Sequence, residues 1–156
     1  MDNTILTCDV KQEWVDYNGH MNDAEYARVF SLTVDQLMQD IGIDADFREK
    51  QRYTIFTLET HVCYLDEAHL GEKLHVTLQL LDSDAKRMHV FFTMKNASGK
   101  RLATSEQMLM GMDMEAGRPA PFPDQIAQSV EAIALEQKEM PQPKEAGRTI
   151  GIKRKK

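Results

Sequence analysis

The hydrophobic period of this chain changes near residue 52, from helical spacing to alternation. Before the change, Tyr26, Val29, Phe30, Val34, Leu37, Met38 and Ile41 recur at intervals of three and four, one apolar stripe on a helix from about Asn22 to Ile41. Gly42 ends it, in the usual place for a C-terminal glycine. After the change, strands are predicted at about 53–65, 73–82, 86–97 and 101–114. Their links, Leu70-Gly71-Glu72, Ser83-Asp84-Ala85 and Ser98-Gly99-Lys100, carry turn residues and are short. Short links require antiparallel neighbours, so the expectation is a meander of four strands. A short strand over 4–12 precedes the helix, and a polar connection over 44–52 has room for a helical turn. One long helix followed by strands is an α+β arrangement, an antiparallel sheet wrapped around one central helix.

The run Arg118 to Pro123 stops the last strand. Residues 124–138 have helical composition, with Ile126, Val130, Ile133 and Ala134 as the apolar set. Residues 1–140 are read as a single domain and 141–156 as a partly extended tail, since Pro141, Pro143 and two glycines interrupt it.

Charge follows the same division. Residues 1–140 carry 13 basic and 24 acidic side chains, a net −11, whereas residues 141–156 carry six basic and one acidic, a net +5. An acidic body argues against nucleic acid as a partner. The basic tail could meet a polyanion such as the phosphates of a nucleotide-containing substrate, or stay solvated. Cys8 and Cys63 form no disulfide or zinc pattern, which fits a reducing cytoplasm. The first residues lack a basic start and a long apolar run, so no signal peptide is expected, and no stretch approaches membrane-spanning length.

Chemistry concentrates in Trp14 to Phe30, WVDYNGHMNDAEYARVF. It sets an acid, Asp16, ahead of the turn pair Asn18-Gly19, and then Asn22 and Asp23 at the start of the helix. Asn and Asp side chains are favoured caps of free helical N–H groups. A carboxylate beside the positive end of a helix can attack, or activate water against, a carbonyl that the helix polarises. An exposed acid on an ordinary turn has the same sequence.

Other clusters are weaker. Glu59, His61 and Cys63 share a face of one strand, but His61 and Cys63 have no third ligand at useful spacing, so no metal site is expected. Glu59 is a candidate second acid near Asp16, against an interface salt bridge. Met108, Met110, Met112 and Met114 alternate, which suits core filling before an adaptable pocket or a dimer contact. Lys86 and Arg87 could bind phosphates or keep a strand edge soluble. Nucleophile-elbow, phosphate-loop and zinc-protease motifs are absent from the sequence.

Asp16-Tyr17-Asn18-Gly19-His20-Met21-Asn22, with Tyr26 on the following helix, resembles the D-x-x-G-H-hydrophobic-N…Y signature of hotdog-fold acyl-CoA thioesterases of the 4-hydroxybenzoyl-CoA thioesterase type. Tyr64-Leu65 and Leu70-Gly71-Glu72-Lys73-Leu74 are similar to the family's second strand, turn and third strand. The resemblance implies a hotdog fold, thioester hydrolysis without a cofactor, and coenzyme A as part of the substrate. It implies Asp16 as the catalytic carboxylate, acting as nucleophile or as general base. It also implies a carbonyl-polarising N–H near Asn22 and Asp23, a turn shaped by Gly19 and His20, and a homodimer or tetramer with sites between subunits. Lys86 and Arg87 match loosely the basic residues that meet coenzyme A phosphates.

EWVDYNGHM, FTLETHVCYL, SEQMLM and a late Gly-Arg-Thr-Ile resemble the subgroup of bacterial carnitine breakdown that hydrolyses betainyl-CoA. Trp14 and Tyr17 flank Asp16, and aromatic faces attract quaternary ammonium groups by about 0.5–2 kcal/mol. Two alternatives stand beside this reading. Hotdog hydratases use D-x-N-x-x-H, but His20 follows Asn18 one residue too soon. A non-catalytic acyl-CoA binding module would have no use for Asp16.

Overall fold

A computed structural model describes residues 3–155. Strand β1 (Thr4–Asp9) leads through a 3-10 turn, Gln12–Trp14, to helix α1 (Asp23–Ile41). A second helix, α2 (Ala45–Gln51), precedes β2 (Tyr53–Tyr64), β3 (Lys73–Ser83), β4 (Arg87–Lys95) and β5 (Arg101–Asp113). The short β6 (Arg118–Pro119) and helix α3 (Asp124–Gln137) follow.

The sheet order is β1-β3-β4-β5-β2 with antiparallel neighbours, and β6 meets the end of β5 where β4 has run out. The meander holds for β3, β4 and β5 but not for β2, which lies beyond β5 rather than beside β3. The cause is in the 65–72 link. Leu70-Gly71-Glu72 is not a hairpin turn between β2 and β3. Instead, Gly71 N–H donates to Val10 O at 3.1 Å and Val10 N–H to Glu72 O at 2.9 Å, tying the link to β1. The chain therefore crosses from one side of the sheet to the other, and β2 pairs with β5 from Tyr53 opposite Asp113 to Tyr64 opposite Ala103.

α1 buries Tyr26, Val29, Phe30, Thr33, Val34, Leu37, Met38 and Ile41. Against them stand Leu74, Val76, Leu78 and Leu80 of β3 and Met88, Val90, Phe92 and Met94 of β4, with Phe30 stacked on Phe92 at 6.4 Å. Burial of each large apolar side chain stabilises by about 1.5–3 kcal/mol, so this interface fixes the helix in the curl of the sheet. Gly42, at φ 105°, closes the helix with its N–H shared by Gln39 O and Met38 O. Ile126 and Val130 of α3 join the same core, and no described helix is long and apolar enough to cross a membrane.

The opposite face of the sheet differs from expectation in its methionines. Met108, Met110 and Met112 lie there, half-buried, while Leu109 between them faces the core. The tail also crosses it: Gln79 Nε2 donates to Pro141 O at 3.1 Å, and Arg101 grips Glu145 at 2.7 and 3.1 Å. Gly147 N–H reaches Glu106 Oε1 at 2.7 Å. Phe91, opposite Glu106 in the ladder, is 1% exposed yet stands outside the core cluster, as a side chain under this strap would. Beyond it the chain is irregular, with Ile150 86% and Ile152 80% exposed.

Candidate active site

The Trp14–Asn22 stretch folds as a small hairpin that delivers the chain into α1. Val15 pairs with Met21, Asp16 N–H donates to His20 O at 2.9 Å, and Gly19 N–H returns to Asp16 O at 3.0 Å. Gly19 has φ 75°, the left-handed position that a tight turn with a glycine bulge requires. The carboxylate of Asp16 belongs to this turn. Its Oδ1 accepts the N–H of Asn18 at 2.8 Å and the N–H of His20 at 3.1 Å. Oδ2 has no protein partner among the described residues, and the side chain is exposed. The turn thus fixes the direction of the carboxylate through one oxygen and leaves the other available.

The hairpin is held from behind by the 66–72 loop. Met21 N–H donates to Ala68 O at 2.8 Å and Leu70 N–H to Gly19 O at 2.9 Å. Tyr26, one turn into α1, accepts Ala68 N–H and donates to Asp66 O. Burial pushes the Tyr26 hydroxyl pKa up, so it stays protonated as that donor requires. Lys100 bonded to Asp66 holds that carboxyl below its usual range.

The helix start differs in detail from the sequence expectation. The Asn22 side chain makes no capping bond, and its N–H is engaged by Trp14 O at 2.9 Å. Ala24 N–H takes the carboxylate of Asp23 at 2.8 Å. Asp23 N–H, without a partner among the described residues, remains as a free donor at the helix end. Tyr64, reaching from the end of β2, donates to Asp23 O at 3.2 Å and packs edge-on against Tyr26 at 5.2 Å. Sequence reasoning named Tyr64 only as part of a strand and not as a neighbour of the helix start, because strand alternation does not report which helix a strand end meets.

Other candidates separate from Asp16. Trp14 is 4% exposed in the core cluster, whereas Tyr17 is 97% exposed, so the two aromatics do not form a cage around the acid in one chain. Alternation of a bent hairpin sends one in and the other out. Glu59 is exposed on the outer face opposite Met108, next to an irregularity in the ladder. Five residues of strand, roughly 15 Å, separate it from Tyr64 at the helix start. Lys86 and Arg87 lie at the far end of β3, whose near end, Lys73, follows the 66–72 loop. The eleven residues of β3 span roughly 35 Å. Arg87 is also paired with Asp84 at 2.5 Å, and that pairing brings the Asp84 carboxyl down to about 2. These cations cannot reach Asp16 of their own chain. His61 Nε2 and Cys63 Sγ approach to 3.8 Å on the outer face, and among the described residues no third ligand groups with them.

Clefts in the single chain, of roughly 370 and 380 Å³, lie between β3 and α3 and between β1, α1 and α3; Asp16 lines neither. The carboxylate lies exposed on the surface of the single chain.

Residues 10–130 match the model of the thioesterase-like superfamily. Betainyl-CoA thioesterase of Pseudomonas aeruginosa is 42% identical over 96% of this chain and 94% of its own. The L-carnitine dehydrogenase/betainyl-CoA thioesterase of Rhizobium meliloti is 42% identical over 96% of this chain, which corresponds to 30% of that longer protein. Among solved structures, a hypothetical protein of Staphylococcus aureus in complex with CoA is 34% identical, covers 96% of both chains and superposes with a TM-score of 0.91.

Proposed function

The chain belongs to the thioesterase-like superfamily, and from that premise we propose that it hydrolyses acyl-CoA thioesters, with betainyl-CoA as substrate and glycine betaine and free CoA as products. The observation that carries the reading is the division of labour at Asp16. Its Oδ1 is fixed by two N–H groups, and its Oδ2 has no partner among the described residues, on the hairpin that leads directly into the start of α1 at Asp23. A thioester carbonyl lying between the two would have its oxygen against the helix-end donor and its carbon before the carboxylate. Asp16 then either attacks that carbon, expelling CoA thiolate as the C–S bond breaks and forming a mixed anhydride that water cleaves, or takes a proton from the attacking water. Its fixed orientation suits either route.

A second copy of the chain completes the cleft. Among the described residues β2 pairs only with β5, so its other edge is open, and residues 56–60 are all exposed, including Phe56 at 51% and Leu58 at 50%. An open edge carrying apolar side chains is a surface that another strand covers. Pairing two copies along β2 would bring Glu59 and the far-end cations Lys86 and Arg87 of one chain toward the helix start of the other, where CoA phosphates need positive charge.

The cationic acyl group agrees with the surroundings of the hairpin. Asp23, Glu25, Asp66 and Glu67 lie within the two segments that frame it, and Tyr17 and Tyr64 present exposed rings. Release of free thiol across betainyl, neutral straight-chain and aromatic CoA thioesters tests the reading. Betainyl-CoA is expected to have the highest kcat/KM, and a preference for a neutral straight-chain thioester would dispose of the substrate.

A further inference from the structure

His20 and His69 face each other across two antiparallel segments, and the hydrogen bonds on either side define how. Leu70 N–H donates to Gly19 O and Met21 N–H to Ala68 O, so the histidines occupy the position between bonds, where opposed side chains on one face come closest. Their rings meet edge-on with centroids 4.9 Å apart. Glu67 enters the same space, with Oε2 at 3.5 Å from His20 Nε2. A ligand atom from each of His20, Glu67 and His69 lies within 4.8 Å of the others.

We infer that these three side chains form a binding site for a Zn²⁺-class divalent ion on the surface beside Asp16. Two imidazoles and one carboxylate, with a fourth position open to water, are a zinc-type donor set, less suited to Mg²⁺ or Ca²⁺. Tetrahedral ligation at about 2.0–2.1 Å requires ligand atoms roughly 3.4 Å apart. Side chains 35%, 63% and 54% exposed can close the remaining distance by rotating.

The backbone beneath them is fixed. Tyr26 secures the loop, Asp66 is tied to Lys100, and His69 N–H is held by Glu72 Oε1 at 2.7 Å. That carboxylate oxygen also meets His69 Nδ1 at 3.0 Å, and Glu72 Oε2 takes a bond from Asn96. A carboxylate on one ring nitrogen sets the tautomer that leaves the other nitrogen free, the supporting arrangement of metal-bound histidines. Occupation sets an ion and its bound water next to His20, whose N–H orients Asp16, in the way of a thioester approaching that carboxylate. The site is therefore inhibitory.

The test is titration of the metal-free full chain with Zn²⁺ by calorimetry, with EDTA reversal and His61→Asn as a control on the outer face. Wild type and His61→Asn are expected to take up one ion per chain, and His69→Asn and Glu67→Gln to lose that uptake. Glu72→Gln should weaken it by about tenfold or more. Absence of uptake by wild type, or uptake unchanged in both His69→Asn and Glu67→Gln, overturns the site. The inhibitory effect rests on the proposed hydrolysis, whereas uptake does not. Added Zn²⁺ should slow thiol release in wild type but not in His69→Asn, and undiminished release from zinc-loaded wild type would refute inhibition alone.

Discussion

Tyr26 and Ala68 are joined by a hydrogen bond of 3.0 Å, with the Tyr26 hydroxyl accepting from a backbone N–H on a fully buried residue. Through it, one side chain on the first turn of α1 holds the loop that holds the Asp16 hairpin. Tyr26→Phe leaves that N–H unpaired in the interior and is expected to cost about 1–3 kcal/mol of stability, read as a lower urea midpoint at unchanged slope. Turnover should fall further than stability explains, because the loop that bonds Met21 and Gly19 loses its tie to the helix.

Gly111 has no room for a side chain. A Cβ there would overlap the Tyr53 hydroxyl and come within 3.0 Å of the Ala120 carbonyl, to which that hydroxyl donates at 2.9 Å. Gly111→Ala should destabilise by about 2–4 kcal/mol, and adding Tyr53→Phe should return part of the loss in a double-mutant cycle. Burial raises the Tyr53 hydroxyl pKa to about 12, so no tyrosinate forms in the alkaline range where that cycle would be run.

The tail strap should respond to acid. Arg101, bonded to Glu145, holds that carboxyl below its ordinary value of 4.5, and the unfolded chain has no such partner. A depressed carboxylate stabilises above the unfolded pKa, and the contribution is lost as pH falls through the folded one. Glu145→Gln should thus cost about 1–2 kcal/mol at neutral pH, allowing for the third of Arg101 that is exposed. The difference from wild type should shrink below pH 4.5. Thermal unfolding of both proteins across that range reads it.

Leu58→Asp on the open edge of β2 should shift sedimentation from a dimer or larger assembly to a monomer. The exposed edge carries no core contact to lose, so the isolated chain stays folded by circular dichroism while thiol release falls with the shared cleft. A monomeric wild type would remove the second copy from the account.

Much of this fold was legible because period reports which face of a segment is buried. The helix expected over 22–41 is found as Asp23–Ile41, and the strand expected over 53–65 as Tyr53–Tyr64. Period does not report neighbours, so the far placement of β2 and the addition of β1 to β3 were out of reach. The same limit applies at the hairpin. Asp16 was visible as an acid on a turn before a helix, but the inward Trp14 ring and the Asn22 N–H taken by Trp14 depend on how the hairpin seats against the loop. His69 gave no signal because its partner, His20, lies 49 positions away in sequence and is brought opposite only by the crossing of the 65–72 link.

Asp16→Asn is the most direct measurement. An amide oxygen at Oδ1 can still accept from Asn18 and His20, so the turn persists while the free carboxylate oxygen is replaced by a nitrogen that neither attacks nor takes a proton. With betainyl-CoA, or whichever thioester proves best, kcat should fall by roughly a hundredfold or more, with melting temperature little changed. An undiminished kcat in a folded Asp16→Asn protein would contradict the central role assigned to this carboxylate.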